Sequence, residues 1–368
     1  MKRFTEKRRG VFVKIAAAFL PKGGNHPARR RKMRVRSRCS AMSVLALCLG
    51  VAACGDSGPR SGSARPADAS QGNILSVRQE QSEVRKRAFE HVRALVNLGP
   101  RPSGSEAYGK QIHYLRVELE KSGWICTTRS WVVSNPETGK DVRMTNLYAR
   151  FGGQETNFET VLPGLLSCHI DTKSGIEGFV GANDGASGAA VLLETARVLA
   201  SDPEAARCVE LVFFDGEESF APRMHLPDGL YGSTWDTVRR GPALPHWMVN
   251  LDMVGRRGMC IAVPADETSQ EMYGHYMRAI GELGASRGTW QVALGSIYDD
   301  HRPFYERGVH TLNLIDSFAG TEWWHTPLDD LGLISSESLA ESVRMACQLL
   351  RQLARDTEIR RLSGSEID

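Results

Sequence analysis

Short, largely apolar runs alternate with amphipathic helical stretches from Ser76 to Arg355, and this alternation constrains the chain more than any other feature. Val84–Leu98 carries Val84, Ala88, Val92, Leu95 and Val96 at helical spacing, and Gly99-Pro100-Arg101-Pro102 stops it. A second helix is expected over Glu106–Lys121, ending at Gly123. Trp124–Val133, Arg143–Phe151 and Thr160–Ser167 read as strands. After them come a helix from Ala186 to Leu199, a strand over Val209–Phe214, and strands over His246–Val254 and Met259–Val263. Gln270–Leu283 reads as a helix, Val309–Ile315 as a strand, and Ser336–Leu353 as a closing helix with Leu339, Val343, Cys347 and Leu350 on one face. Strands this apolar are buried on both faces, which predicts an α/β fold around a largely parallel sheet. Neither a break in composition nor a repeat interrupts the run, so residues 76–357 are expected to form one domain, with a polar tail over 358–368. In such sheets the chemistry lies in loops beyond the carboxyl ends of the strands.

Five segments place acids or imidazoles just there: His169-Ile170-Asp171 after LPGLLSC, Asn183-Asp184-Gly185 before the helix at Ala186, Asp215-Gly216-Glu217-Glu218 after VELVFF, Asp252 in VNLDMVG, and His325-Thr326 after EWW. Taken singly, each is as easily a cap, a turn or a core histidine. Five at one end of one sheet are hard to dismiss together. Two imidazoles and several carboxylates form a borderline N/O donor set suited to zinc with an open coordination position. Adjacent Glu217 and Glu218 point in different directions from an extended or turning segment, so one can bind metal while the other remains a general base. Asp171 lies two residues after His169, on the same side of an extended segment. From there it can orient that imidazole or the base.

The order HID, GANDGASG, FFDGEES, NLDMVG, DDHRPF, WWHT closely resembles the clan of zinc aminopeptidases that also contains glutaminyl cyclases. The likeness runs from GPRPSGSEAYGKQIHYLRVELEKSG at Gly99–Gly123 to the last helix. It implies a three-layer α/β/α sandwich around a mixed, largely parallel sheet. It also assigns Asp184, Glu218 and His325 to the zinc that both branches share, and Glu217 to the general acid/base. In the two-zinc peptidases His169 and Asp252 bind a second ion, with Asp184 bridging. One zinc is therefore expected for a cyclase and two for an aminopeptidase.

Both branches keep the ligands, so the surrounding residues must discriminate. Peptidases of the clan often show S-D-H-x-P-F, whereas this chain has Asp299-Asp300-His301-Arg302-Pro303-Phe304. Asp299 matches the position where glutaminyl cyclases keep a catalytic aspartate bonded to the base; its bland alternative is an N-cap for a helix over His301–Arg307. FFDGEE, the Trp324-His325 pair and YERGVHTLNLI also resemble cyclases, and the pocket wall would fall on Trp324 and Phe318. Two positions depart from the animal pattern. Arg223 stands where a pocket tryptophan is found, and Ala189 stands where Cys168 would have a disulfide partner, so that disulfide is not expected. The resemblance implies a glutaminyl-peptide cyclotransferase, acting on peptides or proteins with N-terminal glutamine. A zinc aminopeptidase is the alternative. A non-catalytic binding domain would be marked by a lost ligand, and none is lost.

The amino-terminal segment carries a different signal. Residues 1–41 hold fourteen Lys/Arg and one Glu, which leaves 32 Lys/Arg against 42 Asp/Glu in the rest, so the body is acidic and shows no basic stripe for nucleic acid. Arg34, Arg36 and Arg38 precede a short apolar run at Ala41–Gly50, and Val51-Ala52-Ala53-Cys54 follows. This resembles a bacterial lipobox, with Cys54 as the lipidated first residue of the mature chain. The run falls well short of the ~20 residues that span a bilayer. Met1–Lys32 fits no export signal, so a start at Met33 or Met42 is expected. Residues 55–75 are rich in Gly, Ser, Pro and Ala and read as a flexible tether. These features predict an exported, membrane-anchored, monomeric enzyme. Five cysteines lie beyond the tether at wide spacing, and they read mostly as small buried hydrophobes.

Overall fold

The computed structural model of the protein describes residues 69–152 and 157–363. The segment over 1–54, with the lipobox and Cys54, lies outside the described residues, as does most of the tether. The first helix, α1 (Ala69–Val96), begins well before Val84 and takes in the last residues read as tether. α2 (Glu106–Lys121) is capped by Ser105, whose hydroxyl accepts from the Tyr108 amide. A hairpin follows, β1 (Trp124–Ser134) and β2 (Asp141–Phe151), paired antiparallel along their whole length. β3 (Gly164–His169) leads through a loop to α3 (Ala186–Leu199), then the single turn α4 (Pro203–Ala206) and β4 (Val209–Phe214). Next come α5 (Tyr231–Arg240), β5 (Trp247–Asp252), β6 (Ile261–Pro264), α6 (Gln270–Leu283) and β7 (Trp290–Ala293). The turn α7 (Arg302–Tyr305), β8 (His310–Asp316) and α8 (Ser336–Ser363) complete the described chain.

The sheet runs β1-β2-β4-β3-β5-β8-β6-β7. β3 pairs in parallel with β4 and β5, and β5 with β8, so the centre is parallel. The hairpin joins antiparallel through β2 and β4, and β6 joins antiparallel to β8, which makes the sheet mixed, as the resemblance implied. The central strands are buried along both faces, in accord with their mostly apolar runs. Leu166, Cys168, Leu211, Phe213 and Val249 face the larger core, shared with α1, α3, α6 and α8. Leu165, Val212, Phe214 and Met248 face a smaller core closed by Phe304 and Val309. The result is a three-layer sandwich.

α5 was not legible from periodicity because its buried face is polar. Asp236 and Arg240 are buried there, with Arg240 paired to Asp236 and to Glu210 on β4, and Glu210 bonded in turn to Arg150 on β2. The short strand β7 was also missed, and α8 runs past Leu353 into the residues read as a tail. The five cysteines of the described residues are free thiols.

α3 approaches the sheet closely at Gly188. A Cβ there would stand 2.7 Å from the Leu251 carbonyl oxygen and 2.9 Å from Cys168 Cβ, on the two strands that carry the candidate ligands. The backbone oxygen cannot yield cheaply. Gly188→Ala is therefore expected to cost about 1–3 kcal/mol of stability, seen as a lower thermal midpoint; an unchanged midpoint would show that the helix can lift away freely.

Candidate active site and metal centre

Every acid and imidazole singled out in the sequence sits at the carboxyl edge of the parallel strands or in the loops beyond it. His169 ends β3 and Asp252 ends β5. Glu217 and Glu218 follow β4, and Asp184 lies in the loop before α3. All five of these side chains are buried, and His325 is largely so.

Two donor groups meet at Asp184. One of its oxygens lies 3.1 Å from His169 Nε2, which is also 3.1 Å from Asp252 Oδ1. The other lies 3.4 Å from His325 Nε2, which is 3.1 Å from Glu218 Oε1. Within each triad the ligand atoms fall within 4.8 Å of one another. Carboxylates on both sides of an imidazole nitrogen, with one carboxylate shared between triads, are a donor set that fits zinc. The protonation of the two imidazoles reflects the same crowding. Burial opposes the charged ring of His169, but the neighbouring carboxylates of Asp171, Asp184 and Asp252 outweigh it and raise its pKa well above the ordinary value. Burial likewise opposes the charged form of His325, yet Asp184 and Glu218 hold its pKa at about 9. The balance for Asp184 runs the other way: burial favours its neutral form, but the two histidines keep it ionised.

Glu217 is adjacent to this centre without belonging to either triad. Burial, then the charge of Glu218, pushes its carboxyl well above the usual range. Asp171 accepts the backbone amides of Glu217 and Glu218 at 3.2 Å each, while its carboxylate stands 3.7 Å from His169 Nδ1, beyond hydrogen-bond reach. Asp171 thus holds the segment of Glu217 and Glu218 through their backbone amides, and not the His169 ring through a hydrogen bond.

Asp299 is buried beside these groups but does not touch Glu217 through a hydrogen bond. It accepts from Asn250 Nδ2 at 2.9 Å, Asn313 Nδ2 at 2.8 Å and the Asp300 amide at 2.6 Å. Its influence on the base is electrostatic, since its charge helps raise the pKa of Glu217 and of Asp252, where burial comes first and the value reaches about 7. The direct bond expected between Asp299 and the base is corrected on this point. The N-cap alternative fails as well, because α7 starts at Arg302 and has His301 at its cap. His301 bonds Glu267, and Asp215 bonds Ser103 and Thr145, so neither joins the donor groups.

Several residues that build the site gave no signal of their own. Arg101, fully buried, donates to the carbonyls of Val180 and Gly181 at the start of the Asp184 loop. Asp329 accepts the amides of Asn183 and Asp184 at 2.7 and 3.0 Å. The loop turns at Gly181, where φ is +53° and a Cβ would stand 2.2 Å from the Asp184 carbonyl oxygen. Lys173 places its ammonium 3.3 Å from Glu218 Oε2. Asn250 and Asn313 could have been found as polar residues inside apolar strands. Among the described residues, three that are not glycine have left-handed backbones, Leu230, Met253 and His325, and all three flank the site.

Above the donor groups opens a cavity of about 510 Å³, lined by Glu217, Met253, Ile315, Phe318, Trp324 and Arg223 among others. Trp324 stacks on His325 with centroids 4.1 Å apart and meets Phe318 at 4.6 Å. A charged floor under an aromatic wall suits a small polar group held away from bulk water.

Residues 146–350 match peptidase family M28. Glutaminyl-peptide cyclotransferase from Bos taurus is 33% identical over 206 residues, covering 45% of this chain and 55% of that protein. The Drosophila melanogaster protein of the same name is 28% identical over 290 residues, covering 69% and 79%. The chain thus spans about half the length of the bovine relative. Among solved structures, Porphyromonas gingivalis glutaminyl cyclase superposes with a TM-score of 0.64 at 23% identity, covering 73% of this chain and 98% of that one. A Zn-dependent exopeptidase from Parabacteroides distasonis gives 0.62 at 21%, covering 73% and 97%. Both structures share the fold. With more than half of its length matched and the family's acid and imidazole positions filled, the chain belongs to peptidase family M28.

Proposed function

We propose that the protein is a glutaminyl-peptide cyclotransferase, closing the N-terminal glutamine of peptides or proteins to pyroglutamate with release of ammonia. The observation that carries this reading is the buried Asp299, held between Asn250 and Asn313 beside the base, where peptidases of the clan often have serine. The curated relatives named cyclotransferases support it.

Asp184, Glu218 and His325 would hold one zinc, which supplies Lewis acidity to the γ-carbonyl oxygen. Glu217 accepts a proton from the substrate's α-amine as the amine nitrogen bonds the carbonyl carbon of the side-chain amide. It returns that proton to the departing nitrogen as the carbon–nitrogen bond of the side-chain amide breaks. Burial suits Glu217 to this work, since a carboxylate whose pKa is raised by burial is a stronger proton acceptor than an exposed one. Asp299 and Asp171 position this base, one by its charge and the other by the backbone amides. Trp324, Phe318 and Met253 exclude the water that would divert the reaction to hydrolysis. The test is ammonia release from a Gln-initiated peptide, set against hydrolysis of amino-acid amides.

One observation favours a second reading. His169, Asp184 and Asp252 are assembled as completely as the first triad, so a second zinc and an aminopeptidase using Glu217 to activate water remain its rival. Amide hydrolysis without ammonia release from the glutamine side chain would establish that rival.

Among the described residues no helix is long and apolar enough to cross a membrane. A lipid on Cys54, anchoring an exported monomer, is the attachment that the sequence supports.

The rim adds a prediction on specificity. Arg223 is exposed at the cavity mouth, and no carboxylate among the described residues pairs with it. Peptides with an acidic second residue should be favoured, and Arg223→Glu should lower their kcat/KM about tenfold relative to neutral ones. Equal ratios in the two proteins would remove Arg223 from substrate selection.

A further inference from the structure

We propose that His246, Glu271 and His310 form a separate transition-metal site at the edge of the sheet opposite the catalytic centre, and that a metal ion and the Arg360 guanidinium compete for it. His246 immediately precedes β5 and His310 opens β8. The parallel pairing of these strands, with the His310 amide donating to the His246 carbonyl at 3.1 Å, sets the two imidazoles side by side. Their centroids are 5.0 Å apart. Glu271 comes from the first turn of α6, behind its Ser269 cap. The three ligand atoms lie within 4.8 Å of one another. Three separate elements thus present two nitrogens and an oxygen to one point, the donor set zinc takes most readily after thiolates. β5 carries the chain roughly 20 Å from His246 to Asp252, so the two sites share no ligand.

The point already attracts a cation. Arg360, near the end of α8, donates to Glu271 Oε1 at 2.6 Å and reaches His246 Nε2 at 3.3 Å. Guanidinium can only donate, so His246 Nε2 is an acceptor, with its lone pair turned toward that position as a metal would require. All three ligands are half-buried and open to solvent on one side, and Arg360 is long enough to swing out. Metal binding at this point would release the end of α8 from its anchor on α6.

The test is zinc titration of the full chain, counting equivalents and affinities for wild type, His310→Ala, Glu271→Gln, Arg360→Gln and Asp252→Asn. The expected result is one equivalent that weakens roughly tenfold or more in His310→Ala and Glu271→Gln. It should tighten roughly fivefold in Arg360→Gln, where a like charge is removed, and persist in Asp252→Asn. Glu271→Gln keeps the shape of a half-buried helix residue and covers the case in which His310→Ala folds poorly. The proposal is overturned if wild type, His310→Ala and Glu271→Gln bind the same number of ions equally well. It is also overturned if the only surplus equivalent disappears in Asp252→Asn, or if Arg360→Gln leaves the affinity unchanged.

Discussion

Glu217→Gln is expected to lower kcat by about 10²- to 10⁴-fold, the usual worth of a positioned general acid/base, while the protein keeps its full zinc content. The two halves of that result follow from adjacent residues that do different things. Glu218 faces His325 and Lys173, whereas Glu217 lines the cavity and belongs to neither donor triad. Glutamine preserves the shape of Glu217 and its backbone bonds to Asp171 and Leu230, so folding should be intact. Turnover is measured by ammonia release and zinc by elemental analysis of the same preparation. Near-normal turnover would show that another group moves the proton.

Asp184→Asn should be as severe by a different route, with zinc lost as well as activity. Its two oxygens serve two triads, so one substitution removes a ligand from both. Affinity should fall by more than roughly 100-fold, beyond what losing an outer partner costs. The sign of the pH dependence follows from His325. Its folded-state pKa is raised to about 9, so the ring carries a proton through the neutral range and zinc must displace it. Apparent zinc affinity should therefore rise with pH up to about 9. The metal-free protein should behave oppositely. The imidazolium paired with Asp184 and Glu218 contributes stability fully present below the unfolded pKa of about 6.5 and lost as pH rises through 9. Thermal midpoints of chelated and zinc-loaded protein across that range would show the two trends diverging. Parallel trends would remove His325 from the metal centre.

The donor residues could be read from the sequence because the physics that marks a buried strand also marks its end. VELVFF and WMVNLD are mostly apolar, and an acid at or just past the end of such a run lies at the edge of the sheet. α2 and α6 were legible to the residue because their apolar stripes agree with serine caps at Ser105 and Ser269, and α3 because a long apolar run follows Gly185. The second layer was hidden for the converse reason. Arg101, Asp329, Asn250 and Asn313 are polar groups satisfied by partners far away in the chain, and no local pattern records a partner 79 or 146 residues distant. α5 shows the same limit at the scale of an element, since its buried face is made of ion pairs. Asp299 lies between these cases. Its place in DDHRPF singled it out, but only the fold shows that it is held by two asparagines, close enough for its charge to help raise the pKa of Glu217.

Mass spectrometry of a Gln-initiated peptide after incubation with the zinc-loaded protein tests the central claim most directly. The account predicts a product lighter by one ammonia, with the peptide otherwise whole and no free glutamine. Free glutamine and a peptide shortened by one residue would contradict it and make the protein an aminopeptidase.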